Sequence, residues 1–272
     1  MSGTVRGYTD SGDDYSSSVS QVPDPVRIYD YLIGGKDNFA ADRAAAEKMM
    51  QSMPNVREAA LANRGFLVRA VETMAGAGIT QFLDLGTGLP TSPNVHEVAR
   101  RTTPDARVVY VDNQPVVTMF NRALRESTPG VVAVEQDLRE PHAVLADPDL
   151  RQNLDLDQPL GLLLVAVLHF VDTDAAAEAV SAYVRRLAPG SMMAISVACA
   201  DDLNAPDLIR IRRIYENSPT PFVFHNTAQV TAMFDGLELL EPGLVDVSQW
   251  RHDGSLLTYS GMSFLAGVAR KP

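Results

Sequence analysis

QFLDLGTGLPT, residues 81–91, is the stretch that decides the fold. A short apolar run ends in an acid, Asp84, and passes at once into two glycines, Gly86 and Gly88, set one residue apart. An apolar run of this length closed by glycines and a proline reads as a buried strand followed by a sharp turn. Downstream the same pattern repeats. Strands are expected at 81–85, 107–111, 131–135, 160–167 and 192–198, and two more strand-like runs follow at 237–242 and 260–269. Helical stretches separate them at 94–101, 116–126, 142–150 and 174–187, with two further helices after residue 204, the second near 227–234. The strands are continuously apolar rather than alternating, as in a parallel sheet covered on both faces. The fold class is therefore doubly wound α/β.

Upstream of this alternation the chain reads differently. Residues 1–22 are rich in Ser, Gly and Asp (GYTDSGDDYSSSVS) and nearly devoid of aliphatics. Such a segment buries too little surface to offset the entropy of ordering, so a mobile tail is expected. A helical segment follows over 23–78. One helix is expected over 38–53, ending at Pro54, and a longer one over 55–75. Leu61, Leu67, Val68, Val71 and Met74 recur at three- and four-residue spacings along the second, which assigns them to one apolar face. Gly76 and Gly78 close it. Residues 79–272 then form the α/β domain.

Composition narrows the function. Lys and Arg number 23 against 34 acids, for a formal charge of −11, which opposes nucleic acid or an anionic membrane as partner. The single Cys199 cannot close an internal disulfide, and no basic-then-apolar segment opens the chain. The longest apolar run, residues 160–168, is far short of the roughly 20 residues that span a bilayer. The expectation is a cytoplasmic protein. No Cys/His cluster has metal-ligand spacing, and no G-x-S-x-G elbow is present.

In a doubly wound sheet, ligands bind at the carboxyl ends of the strands, near the switch in strand order. Gly86 and Gly88 sit there. A dinucleotide fingerprint would place a third glycine where Thr91 stands, and a carboxylate like that of Asp84 would repel a pyrophosphate. The same carboxylate suits an ammonium group. Asp112 ends the second strand, 24 residues after Gly88, where an acid binds both hydroxyls of a ribose. Asp137 follows the third strand and is placed to accept from an adenine amino group. Each alone is open to a helix-capping reading. Together the three acids form the pattern expected around S-adenosylmethionine.

DLGTGLP, VDN and QDL resemble the first three motifs of class I S-adenosylmethionine-dependent methyltransferases. RIYDYLIGGKDNFAADR, NRGFLVRAV, QFLDLGTGLPTSPNVHEVA and LLLVAVLHFV resemble an actinobacterial branch first catalogued as a domain of unknown function. The resemblance covers roughly residues 23–270, and Pro90 stands in for the third motif I glycine of generic methyltransferases. It implies a Rossmann-like seven-stranded sheet, mostly parallel with an antiparallel last strand, behind an N-terminal helical lid. It implies S-adenosylmethionine as methyl donor, released as S-adenosylhomocysteine. It adds Thr87, Asn113, Leu138 and Val165 to the cofactor set, and brings no methyl acceptor with it. Arg64 is similar to an arginine that holds the cofactor carboxylate in carboxyl- and O-methyltransferases. Arg69, by contrast, reads as a solvated helix-face arginine, and Arg57 is open to the same reading.

The fourth strand runs into VLHFVD, so His169, Phe170 and Asp172 are expected to face the methyl group or its acceptor. His169 is the candidate general base; it is equally open to a role ordering its loop. Tyr29, Tyr31 and Asn38, around Gly34 and Gly35, suit a lid over the cofactor or an aromatic plug in the helix layer. Tyr215, Phe222, Phe224 and His225, between the fifth and sixth strands, suggest a pocket for a small, apolar organic acceptor. Two functions lead after this reading, a methyltransferase acting on a small molecule and a protein that senses S-adenosylmethionine or S-adenosylhomocysteine without catalysis; a dehydrogenase comes third, weakened by the glycine pattern.

Overall fold

A computed structural model describes residues 21–125, 128–199, 201, 205–216, 218, 220–252 and 263–272. The expectation of a mobile tail falls on residues outside this set, apart from 21 and 22. Three helices open the described chain: α1 (Pro25–Leu32), α2 (Ala40–Ser52) and α3 (Val56–Gly76). Strands and helices then alternate through β1 (Gln81–Leu85), α4 (Val95–Ala99), β2 (Arg107–Asp112), α5 (Pro115–Arg125), β3 (Val131–Glu135), α6 (Pro141–Ala146), α7 (Pro148–Asn153) and β4 (Gly161–Val165). After a 3-10 turn at Leu168–Phe170 come α8 (Thr173–Arg186), β5 (Met192–Cys199), α9 (Ala205–Ile214), α10 (Thr227–Ala232), β6 (Glu238–Leu239), β7 (Val245–Asp246) and β8 (Ser263–Arg270).

The strands form one sheet in the order β3-β2-β1-β4-β5-β8-β6, with β7 also on β8. β1 to β5 pair in parallel, and β8 runs antiparallel to β5, β6 and β7. Seven of these strands match the runs read from sequence. The eighth, β7, is two residues long and, unlike the equally short β6 within the run at 237–242, lies in no run read as a strand. Strand order reverses between β1, which leads to β2, and β4, so the crevice for a ligand opens above the end of β1.

Alternate strand residues feed two cores, which explains the unbroken apolar runs. Phe82, Val108, Tyr110 and Leu163 pack with α3 on one face, whereas Leu83, Val109, Val111, Leu162 and Leu164 pack under α8 on the other. α3 contributes Phe66, Leu67, Ala70, Val71 and Met74 to the first core. Leu61 does not join that face: it is 48% exposed, because the buried stripe runs through Val56, Ala59, Ala60 and Asn63 instead. Val68 is only partly buried. Arg69 is not solvated either. Its Nε and Nη2 donate to the carbonyls of Trp250 and Val247 at 2.8 and 2.6 Å, and so tie α3 to the segment before β8. Trp250 is itself buried edge-on to Phe66.

The N-terminal helices are fixed by two buried acids. Asp42 accepts from the Asp24 and Phe39 amides and pairs with Arg27 at 2.8 Å. Asp30 accepts from the Asp37 amide and from Asn38 Nδ2, closing the turn after α1. A Cβ on Gly35 would fall 1.9 Å from Asp30 Oδ1, so only glycine admits that carboxylate.

Candidate active site

A cavity of about 540 Å³ opens at the carboxyl ends of β1, β2 and β4, roofed by α1 and α3. Its two ends differ in chemistry. At the first, Gly86 and Gly88 take positive φ of 69° and 65°. A Cβ at Gly86 would meet Val167 at 2.2 Å, so the turn is held against the end of β4. Asp112 Oδ2 accepts from the Gly88 amide at 3.0 Å and Oδ1 from the Gln114 amide at 3.0 Å. Burial raises the Asp112 carboxyl above its ordinary value despite these bonds.

Asp84 is pushed up to about 7 by burial, with repulsion from Asp112 working in the same direction. The Thr87 hydroxyl and the Arg64 charge oppose the shift without cancelling it. A carboxylate so poised is completed by a cation. Arg64, one turn from Ala60 on α3, donates through Nη2 to the Thr91 and Pro93 carbonyls at 2.8 and 2.9 Å. It therefore clamps the segment after the glycine turn and also lines the cavity, with Nη1 and Nε outside these two bonds.

At the second end the walls are apolar and aromatic. Leu32, Met49, Val56 and Ala60 come from the three N-terminal helices, and Phe170, Tyr215, Phe222 and Phe264 from the other side. Phe222 is the hub: its ring centroid lies 4.9 Å from His169, 5.0 Å from Tyr215 and 5.5 Å from Phe170. Tyr29 lines this end too. Its hydroxyl donates to the Ala60 carbonyl and accepts from Asn63 Nδ2 at 2.9 Å. Asn63 Oδ1 accepts from Ser196 Oγ, which in turn accepts from the Ala166 amide at 3.0 Å. Ala166 sits just past β4 with φ of 56°, strained for a residue with a Cβ. Among the described residues, no group of three His, Cys, Asp or Glu side chains is arranged to hold a metal ion, and no helix is long and apolar enough to cross a membrane.

Residues 14–272 match the S-adenosyl methyltransferase family. The chain belongs to that family. Its cofactor is S-adenosylmethionine. A DUF574 family protein from Streptomyces avermitilis has a similar structure, with a TM-score of 0.87, 39% identity, and coverage of 93% of this chain and 99% of that one. A methyltransferase candidate from Thermobifida fusca aligns with a TM-score of 0.85 and 40% identity, over 92% of this chain and 96% of the other. No functionally curated protein matches.

For this S-adenosyl methyltransferase family member, the structure sorts the residues singled out by sequence. Arg64, Asp84, Gly86, Thr87, Gly88, Asp112, Asn113, Asp137, Leu138 and Val165 all line the cavity, as do Tyr29, His169, Phe170 and Tyr215. Three do not. Tyr31 lies under the Arg57 guanidinium, Asn38 is bound to Asp30 and Gly35, and Phe224 packs behind Phe222. α1 presents one side to the cavity, and Tyr31 falls two residues from Tyr29, on another. His225 is likewise withdrawn, its Nε2 against the Leu168 carbonyl.

Two roles change with their surroundings. Burial, helped by neighbouring His225, pushes the His169 imidazole down to about 3, and its Nδ1 faces the Ala198 amide at 3.4 Å. An imidazole that weak is a poor general base near neutrality, and its place in the ring cluster makes it a wall of the pocket. Asp137 is held by Arg139, whose Nε reaches it at 3.0 Å and Nη2 at 2.5 Å, with Asn113 Nδ2 at 3.3 Å. Burial raises its carboxyl, but these bonds outweigh it and hold it below the ordinary value. An adenine amino group would have to share that acceptor. Asn63 and Ser196 were not found by sequence reading: Asn63 opens the NRGFLVRAV segment, where Arg64 drew the attention, and its partner Ser196 lies 133 residues away.

Proposed function

We propose that this chain transfers a methyl group from S-adenosylmethionine to a small organic acceptor. The observation that carries the reading is one continuous cavity joining the Asp84–Asp112 end to the Phe222 ring cluster. Asp84 would take the cofactor ammonium, Arg64 its carboxylate through the guanidinium fork, and Asp112 the ribose hydroxyls. Gly86, Thr87 and Gly88 would let the backbone approach, with Asn113, Asp137, Leu138 and Val165 bordering the rest. Bound there, S-adenosylmethionine supplies an electrophilic methyl carbon on a sulfonium. The protein contributes position, with reacting atoms held about 3 Å apart, and excludes water through the α1–α3 roof.

A sensor without catalysis is the second reading, favoured by the weakness of His169 as a base. Incubating cell extract with the protein and isotopically labelled S-adenosylmethionine, followed by mass spectrometry, separates the two. A labelled small molecule, absent with an Asp112→Ala variant, is the expected result. Tight S-adenosylhomocysteine binding with no labelled product in any extract would favour the sensor.

A further inference from the structure

Resting on that reading, we infer that the acceptor is a neutral, flat amine or nitrogen heterocycle whose nitrogen attacks through a lone pair already free. The shape of the chamber argues for the flat body. Leu32, Met49, Val56 and Ala60 line it together with Phe170, Tyr215 and Phe222, and all but Phe170 are buried. Rings clustered at 5.0 to 5.5 Å around Phe222 present apolar area suited to stacking.

Charge excludes an anion. Among the described cavity residues, Arg139 is paired with Asp137, and Arg64 is bound to the carbonyls of Thr91 and Pro93 at the cofactor end. Neither stands among the rings. Asp30 reaches the cavity, but its Oδ2 is taken by Asp37 and Asn38 and its Oδ1 abuts Gly35. Asp172 caps α8 through Asp174 at the rim. A carboxylate or phosphate seated among the rings would be buried unpaired, at high cost.

The tyrosine hydroxyls at the ring end offer no base for an acceptor that must be deprotonated there. The Tyr29 proton goes to the Ala60 carbonyl, and the Tyr215 hydroxyl rests on Met49 Sδ at 3.7 Å. Burial holds both phenols above their ordinary values, so neither is a base at neutral pH. A neutral nitrogen needs none. Its lone pair forms the bond to the methyl carbon while the carbon–sulfur pair withdraws onto sulfur, and one positive charge passes from sulfur to nitrogen. A ring nitrogen or tertiary amine keeps that charge; a primary or secondary amine afterwards releases its proton to water. Surrounding aromatic rings favour the cation at either atom.

Three bicyclic probes of similar shape test this: quinoline, 1-naphthol and 1-naphthoate, titrated by ligand-observed NMR into protein saturated with S-adenosylhomocysteine. Quinoline should bind at least tenfold more tightly than naphthoate and more tightly than naphthol. Phe222→Leu, which removes the ring and keeps bulk, should weaken quinoline about tenfold while S-adenosylhomocysteine affinity, measured separately, reports that the variant is folded. Naphthoate or naphthol binding best, no probe binding, or quinoline binding unaffected by Phe222→Leu would each overturn the inference while leaving the cofactor reading intact. Failure of the wild-type protein to bind S-adenosylhomocysteine would instead overturn the reading on which it rests.

Discussion

At one end of the cavity, carboxylates and backbone amides from successive strand ends converge on the turn at Gly86 and Gly88. At the other, rings and aliphatic side chains from α1, α2, α3, the turn after β4, the segment after α9 and β8 meet around Phe222. The first end is local. Asp84, Gly86 and Gly88 lie within five residues, and Asp112 reaches them because β2 pairs in register beside β1. The second end exists only once distant segments have packed. An end built from one turn binds what all proteins with that turn share, whereas an end assembled from many segments is free to vary its ligand.

That contrast can be broken by measurement. The largest effect is expected at Asp112, where Asp112→Ala leaves the ribose hydroxyls without a charged acceptor. S-adenosylhomocysteine should bind about 2 kcal/mol more weakly, roughly thirtyfold, by calorimetry. Unchanged affinity in a folded variant would place the ribose elsewhere. Arg64→Ala comes next, with about a tenfold loss for S-adenosylhomocysteine and little for adenosine, which lacks the carboxylate. Arg64→Lys should recover only part, since an ammonium has no planar fork. Equal loss for both ligands would make Arg64 solely the clamp on Thr91 and Pro93.

A smaller effect follows from Asp84. Its carboxyl titrates at about 7 without ligand, and an ammonium beside it favours the ionised form, so binding below that pH must expel a proton. Affinity for S-adenosylhomocysteine should therefore fall as the solution is acidified, by about eightfold between pH 7.5 and pH 6. Asp84→Asn should flatten that dependence; a slope that survives the substitution would assign it to another group. The smallest effect is expected from Phe222→Leu on S-adenosylhomocysteine itself, under about twofold, because a ring at the far end does not touch the cofactor groups. A larger change would mean that the two ends are coupled.

The same contrast governs what could be read from the sequence. The sheet and the acidic turn were legible because strand ends, glycines and acids lie close along the chain and leave a pattern. Leu61 was misassigned because three- and four-residue spacing permits several stripes on a 21-residue helix, and packing chose the one through Val56, Ala60 and Asn63. Arg69 looked solvated because its acceptors, the Val247 and Trp250 carbonyls, lie some 180 residues away and backbone carbonyls have no sequence signature. Tyr31, Asn38 and Phe224 were drawn in by type and proximity alone. His169 lies where expected, but its basicity depends on Phe170, Phe222 and Phe264 closing around it.

One link crosses from the sheet to the roof: Ala166 amide to Ser196 hydroxyl, Ser196 to Asn63, Asn63 to Tyr29. Each member satisfies the next, so no single one can be exchanged for an apolar residue without stranding a neighbour's donor or acceptor in the interior. Substitution at these positions is therefore constrained as a block. Along a lineage, Tyr29, Asn63 and Ser196 should persist together or give way together, and a descendant that keeps two of the three should carry a compensating change within reach of the third.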